Sequence, residues 1–335
     1  MKKLISFFIS LSFITVGFSQ EIHSPAEILK ILNNSKVTYE IGLLDKKIEC
    51  KDFSEKLNQH GLYRVVTDSG LYTLDIVPNE TAEPLFIKAE AFFGSDNFDS
   101  ALVYYKLALE ADSTLYDVMT YIGQLYEKRR NYDEAIKWYE LAIDKNYIDY
   151  MAHWFLADNY LVTNNIKGAV DEIVIARILN RNNPRIKQSM KNIFKKAKRD
   201  TTDWCFNPQV KLSQKPDGSV VIATDEKWMG YALAKALWTY EPGYSESMGV
   251  ARGEYSTLED RECLVSLLVG LENAKVKLKK DRQLYILKKA TENKYLQEYI
   301  LYELLLPQHP FVAFQLPENV ISDIKDYVLN IRNRR

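Results

Sequence analysis

Chemistry needs reactive side chains at fixed spacings, and this sequence offers few of them. The histidines, His23, His60, His153 and His309, are scattered, and none falls in the His-Glu-x-x-His spacing that sets two metal ligands on one helix face. Cys50, Cys205 and Cys263 form no Cys-x-x-Cys pair, and there is no glycine-rich phosphate loop. Gly243-Tyr244-Ser245-Glu246-Ser247 comes nearest to a nucleophile elbow. It lacks the final glycine and follows a helical pattern, where that turn requires a strand. Asp225, Glu226, Glu241 and Glu246 could serve glycoside chemistry only if folding set two of them about 5 to 9 Å apart. Acids at helix ends are ordinarily caps. The expectation is no catalytic residue, no cofactor and no metal.

Charge and cysteine usage narrow the classes further. Met1 to Ser19 carries Lys2 and Lys3, then an apolar run from Leu4 to Phe18 that is too short for a spanning helix, then small residues. This reads as a signal peptide cleaved near Gln20 or Glu21, with no cysteine placed there for a lipid anchor. No later segment is apolar for long enough to span a bilayer. Loss of Lys2 and Lys3 takes the formal charge from −1 to −3, so neither nucleic acid nor an anionic membrane is an expected partner. An odd cysteine count leaves at least one thiol unpaired. Cys50 could pair with Cys205 or Cys263 in an oxidising compartment, while buried free thiols are the expected state.

What must position any site is a repeat. From Ala82 to Asn183 the chain falls into three consecutive blocks of 34 residues. The eighth position is small (Ala89, Gly123, Ala157) and the eleventh aromatic (Phe92, Tyr126, Tyr160). The twentieth and twenty-seventh are alanine (Ala101 and Ala108, Ala135 and Ala142, Ala169 and Ala176), and the twenty-fourth is bulky (Tyr105, Tyr139, Ile173). Apolar residues recur at helical spacing, as in Tyr121, Ile122, Leu125 and Tyr126, so each block is two amphipathic helices. One pair cannot cover its own apolar face, so the pairs must stack. Pro184 to Arg199, apolar at Ile186, Met190, Ile193 and Phe194 and basic elsewhere, suits a capping helix.

These positions resemble the tetratricopeptide repeat over about a third of the chain. The resemblance implies an α-solenoid of three helix pairs plus a capping helix, serving as a scaffold that binds a partner. It also implies a concave face lined by positions two, five, nine, twelve and thirteen. Here these are Glu83, Phe86, Glu90, Phe93 and Gly94; Asp117, Thr120, Gln124, Glu127 and Lys128; and Met151, Trp154, Asp158, Leu161 and Val162. Acids dominate over Lys128. The family's carboxylate clamp needs Lys, Asn and Arg, whereas its positions hold Phe86, Glu90, Tyr121, Met151 and Phe155. The face suits a protein or peptide with basic and apolar side chains instead. The alternative is that its aromatic residues are covered by the flanking regions.

The flanks are read as follows. Residues 20–80 form a small α+β module, with a helix from Ser24-Pro25 to about Asn33, a strand over Val37 to Leu44, a helix over Asp52 to Gln59, and a hairpin from Leu62 to Val77 turning at Asp68-Ser69-Gly70. Residues 81–200 are the array with its cap. Residues 201–335 form a mostly helical C-terminal domain with a β-hairpin around Lys215-Pro216-Asp217-Gly218, a helix from Asp225 to Glu241, and long helical patterns over Thr257 to Lys277, Arg282 to about Leu306, and Pro317 to Arg332. The fold class is mainly α. The whole chain resembles exported repeat proteins of the Bacteroidota. The reading is an exported scaffold or adaptor of a bacterial cell envelope, periplasmic or secreted. Two alternatives stay open: an enzyme with its active site in the C-terminal region, and a glycan-binding protein with an exposed platform at Trp228, Trp238 or Tyr240.

Overall fold

The computed structural model describes residues 21–54, 61–67 and 70–334. The expected signal peptide, most of the helix expected over Asp52 to Gln59, and Asp68 and Ser69 of the hairpin turn lie outside these residues. The chain is mainly helical and divides into two compact units. Among the described residues the first comprises 53–202 and 306–334, and the second 21–52 and 203–305.

In the first unit, β2 (Leu62–Thr67) and β3 (Gly70–Asp75) form an antiparallel hairpin. Three helix pairs follow: α2 (Glu83–Gly94) with α3 (Phe98–Ala111), α4 (Tyr116–Lys128) with α5 (Tyr132–Lys145), and α6 (Tyr150–Val162) with α7 (Ile166–Leu179). α8 (Pro184–Lys196) packs on the last pair. The register of the sequence repeat is carried by the backbone. Asp96, Arg130 and Asn164, each fifteenth in its block, and Lys198 at the same place after α8, take left-handed φ values of 58°, 57°, 64° and 55°. The following residue, Asn97, Asn131 or Asn165, then caps the second helix of its pair through its side chain.

The small positions allow the helices to approach. Ala89, Ala101, Ala108, Ala135, Ala142 and Ala169 are fully buried, and a Cβ at Gly123 would stand 2.5 Å from the Tyr139 ring. Overpacking this seam with Ala135→Leu is expected to destabilise the array by roughly 1 to 3 kcal/mol in urea denaturation. A neutral result would contradict the helix pairing. The first helix ends the stack and leaves Ile87 exposed. Where the second and third pairs bury Ile122 and Leu156, it carries Lys88, exposed beside the Tyr104 ring.

At the other end α8 does not shield the array alone. Val170, Ile173, Val174, Ile175, Ile178 and Leu179 of α7 are all buried, because the C-terminal residues return to it. The turns over Pro310–Gln315 and a last helix, which we number α12 (Glu318–Tyr327), pack on α7. Asn182 donates to the Pro307 carbonyl at 2.9 Å, and Arg199 to that of Leu329 at 2.6 Å. Arg64 of β2 donates to the Leu316 carbonyl at 2.6 Å and pairs with Glu318 at 3.2 Å.

The second unit contains α1 (Pro25–Asn34), closed by a Ser24/Glu27 capping box. Its sheet runs β1 (Tyr39–Leu43), β5 (Val220–Thr224), β4 (Val210–Gln214), with β1 parallel and β4 antiparallel to β5. Val220 and Ile222 pack on Ala232 and Ala236 of α9 (Met229–Tyr240). α9 crosses α10 (Thr257–Asn273), and α11 (Arg282–Glu292) follows. The helical pattern from Arg282 breaks at Lys294, which has a φ of 65°, and continues through Leu296–Tyr299 into wider π turns over Ile300–Leu305.

The unit boundaries therefore differ from those read in the sequence. The segment 20–80 is not one module, since α1 and β1 belong with β4 and β5 while the hairpin belongs with the repeats. Nor is 201–335 one domain, since its last residues pack on α7. Both differences come from pairings between residues far apart in sequence, which local periodicity does not record. The expectation of free thiols is also corrected. Cys50 and Cys205 form a disulfide with Cα atoms 6.4 Å apart, and Cys263 is buried and free. Among the described residues no helix is long and apolar enough to cross a membrane.

Candidate functional site

The first helices of the three pairs present one row of groups. In α2, Glu83 and Gly94 are exposed. Glu90, also exposed, accepts a hydrogen bond from the Tyr105 hydroxyl. Phe86 is half-buried between Tyr105 and Tyr121, with ring centroids 6.2 and 6.4 Å away, and Phe93 lies 6.0 Å from Phe98. In α4, Gln124 is half-buried and Lys128 exposed. Glu127 accepts from the Tyr139 hydroxyl at 2.8 Å and from Asn159 Nδ2 at 2.9 Å. In α6, Met151 and Leu161 are half-buried, Val162 is exposed, and Trp154 stacks on Phe155 at 5.1 Å. Asp158 accepts from the Ser189 hydroxyl of α8.

Thr120 does not take the role its position suggests. It is 1% exposed and donates its hydroxyl to Asp149 Oδ2 at 2.6 Å, so no partner can touch it. Asp149 is the residue that sequence reasoning missed. It caps α6 by accepting from the backbone N–H groups of Met151 and Ala152 at 2.9 and 3.1 Å. An aspartate directly before an apolar-periodic run is the signal that could have identified it.

The electrostatics set this row apart. The carboxylates are held by hydroxyl and amide donors of Tyr105, Tyr139, Asn159, Thr120 and Ser189. Burial, then the charges of Asp149 and Glu90, pushes Asp117 up to about 7. Asp117 Oδ1 is buried without a hydrogen-bond partner. Burial likewise raises Asp149, and it raises Asp158, to which the Glu127 charge adds. Tyr105, Tyr121 and Tyr139 are pushed up by burial and by the same acids. Carboxylates that are buried and mutually repelled gain from an arriving cation.

The hairpin borders this row at the start of α4. Tyr63 meets Tyr116 edge-on at 5.8 Å, Asn146 Nδ2 donates to the Leu62 carbonyl at 2.8 Å, and a Cβ at Gly61 would stand 3.9 Å from Asp117 Oδ2. Facing Asp117 are Asp149, Glu90, Tyr105 and Tyr121. A carboxyl raised on folding binds its proton more tightly in the native state. Its contribution to stability therefore falls as pH rises from about 4 to about 7. Asp117→Asn should leave stability near pH 3 unchanged and raise it near pH 8 by roughly 1 to 3 kcal/mol, a range reduced for partial solvent access. Equal effects at both pH values would contradict the shift.

Residues considered for other chemistry are engaged structurally. Asp225 accepts from the backbone of Lys227 and Trp228, and Glu241 from the hydroxyls of Ser35 and Tyr39 at 2.6 and 2.9 Å. Glu246 accepts from Ser245 at 3.1 Å and Glu226 is exposed. Gly243 to Ser247 leaves α9 as a short helix, and Ser245 is buried. Trp228 and Trp238 are 1% and 5% exposed and Tyr240 is half-buried, so they form no open platform for a sugar. His153 bridges Glu172 and the Tyr147 carbonyl at 2.6 and 2.9 Å. Beneath α9, Glu262 accepts from Trp238, Tyr244 and the His23 backbone N–H, while Lys235 pairs with Glu259 at 2.7 Å. Burial raises the neighbouring Asp260 to about 6. Among the described residues no group of His, Cys, Asp and Glu has the arrangement of a metal site.

Residues 116–144, α4 with α5, match the family model described as the tetratricopeptide repeat, and the helix pairs of this chain are tetratricopeptide repeats. Similar solved structures include the first such domain of Spaghetti (RPAP3) bound to the HSP90 peptide SRMEEVD. It is 18% identical, covering 36% of this chain and 97% of that one, with a TM-score of 0.35. The Arabidopsis OM64 repeat domain is 15% identical over 35% and 97%, with a TM-score of 0.34. The Yersinia enterocolitica type III secretion chaperone SycD, in complex with a peptide of the translocator YopD, is 18% identical over 36% and 96%, with a TM-score of 0.34. No curated protein matches this chain.

Proposed function

We propose that the array is a protein-binding scaffold whose α2, α4 and α6 row grips an extended segment carrying basic and apolar side chains, and that the protein works outside the cytoplasm in the cell envelope. The observation that carries the binding reading is the row itself. Glu90, Glu127 and Asp158, with hydroxyl and amide partners in place of cations, and Asp117, with a buried unpartnered Oδ1, stand beside half-buried Phe86, Phe93 and Trp154. A Lys or Arg side chain would relieve the repulsion and lie against aromatic faces. The envelope setting is supported by the charged and apolar pattern of Met1 to Ser19 and by the Cys50–Cys205 disulfide, a bond that persists in oxidising compartments.

Reversing charge at Glu90→Lys with Asp158→Lys tests the reading. Binding of the partner should weaken about tenfold or more, with the helical content of the array retained. Full retention of the partner would place its site elsewhere.

A further inference from the structure

The near-neutral total charge, which gave no reason to expect an anionic partner, conceals a segregation along the first unit. From Ile173 to Arg199 the sequence holds no aspartate or glutamate. Arg185, Lys187, Lys191, Lys195 and Lys196 of α8, with Lys198 just past it, are all exposed. The apolar side of the same helix is sealed through the buried Ile186, Met190, Ile193 and Phe194, so its basic side is the one left to solvent.

Lys187, Lys191 and Lys195 follow at intervals of four, which sets them in one ridge over about 12 Å of helix. Like charges at that interval repel and weaken a helix. Elsewhere lysines on exposed helix faces meet acids, as Lys137 meets Glu134 in α5 and Lys289 meets Glu292 at 2.7 Å in α11. Among the described residues Arg185, Lys191, Lys195, Lys196 and Lys198 have no such partner. Asp158 meets α8 through Ser189, on the side of the helix away from the ridge. The fold then extends the charge. Two residues past Lys198, the Asp200 N–H donates to the Asn333 carbonyl at 3.2 Å, and its carbonyl accepts from Asn333 Nδ2 at 2.8 Å. Exposed Arg334, next in sequence, is thereby brought to the same end of α8.

We propose that α8 and Arg334 form a docking surface for a membrane face rich in anionic phospholipid headgroups. Shape chooses this partner among anions. The ridge is the convex outside of one helix, so it offers no groove to hold an extended acidic peptide. Between its lysines, Gln188 and Asn192 bond each other at 3.0 Å, and no exposed aromatic side chain is present on which nucleic-acid bases could stack. Lipid headgroups move within their plane and gather beneath fixed cations, so they need no pocket. With no long aliphatic or aromatic side chain on the exposed face, the contact is peripheral and sensitive to salt. The surface is separate from the α2, α4 and α6 row and does not rest on the reading proposed for it.

The test is co-sedimentation of the protein, as isolated from the cells that make it, with vesicles of phosphatidylcholine containing about 30% phosphatidylglycerol, beside vesicles of phosphatidylcholine alone. The expected result is binding to the first and not to the second, released as salt rises from about 0.05 to 0.5 M. Lys191→Gln with Lys195→Gln puts good helix formers on a solvated face, so it should fold, and it should weaken binding about tenfold or more. Lys137→Gln with Lys145→Gln removes the same charge from α5 and should leave binding within about twofold. Equal binding to the two kinds of vesicle, or equal losses in the two double variants, overturns the surface. Tighter binding to polyglutamate or to duplex DNA than to the anionic vesicles overturns the choice of partner.

Discussion

Gly230→Ala is expected to destabilise the 21–52/203–305 unit by more than about 3 kcal/mol, the closest approach of an added methyl group at any described glycine being the one here. A Cβ at this position would stand 2.3 Å from the Ser266 carbonyl oxygen and 2.8 Å from its carbon, with Leu267 N at 3.2 Å. These are backbone atoms of α10, which have no rotamer to escape into. The helices must move apart, and α9 carries Ala232 and Ala236 packed on the sheet as well as buried Trp238, with buried Trp228 at its N-cap. Urea denaturation followed by tryptophan fluorescence reads the loss. Gly270→Ala on the same pair of helices meets only the Gly230 backbone at an ordinary contact distance of 3.9 Å and should change stability by less than about 1 kcal/mol. Equal midpoints for the two variants would show that α9 and α10 do not cross where the structure places them.

Removing the Cys50–Cys205 disulfide is the second large effect. The bond spans 155 residues of sequence, and chain-entropy reasoning with its known shortfalls gives a loss of about 2 to 5 kcal/mol for Cys50→Ser with Cys205→Ser. The bond is supported locally by contacts that outlast it. Asn207 Nδ2 donates to the Ile48 carbonyl at 2.6 Å, and Gln209 accepts from the Ile48 N–H at 2.8 Å. The double variant is therefore expected to fold and to unfold at a lower denaturant concentration, matching wild type treated with a reductant. A wild type indifferent to the reductant, with an unchanged double variant, would contradict the pairing. Cys263, buried between α9 and α10, should resist alkylation until global unfolding.

The array was legible because a repeat states its register three times. Ala101, Ala135 and Ala169 each mark the same contact, and the left-handed Asp96, Arg130 and Asn164 confirm it in the backbone. Single-copy features gave weaker signals. Strand β1 reads as a strand from Tyr39 to Leu43, but nothing in those residues names β5 as its partner some 180 positions on. The last helix shows its amphipathic face, through Ile321, Ile324 and Tyr327, without showing that α7 is what it covers. Position alone placed Thr120 in the groove, whereas a hydrogen bond to Asp149 turns it inward. The cysteines were read as thiols because pairing depends on a meeting of distant segments. The acids and aromatics of the row were legible by position. Their tyrosine, asparagine and serine partners depend on how neighbouring pairs stack, which position within one block does not record.

The central claim is that the row from Glu90 to Asp158 holds a partner. A photoreactive side chain at Gln124, half-buried in the middle helix of the row, tests it most directly in the cells that make the protein. The account predicts an adduct whose crosslinked peptide carries basic and apolar residues, and whose yield falls about tenfold or more in Glu90→Lys with Asp158→Lys. Crosslinks only within the chain, or an adduct indifferent to the charge reversal, would contradict it.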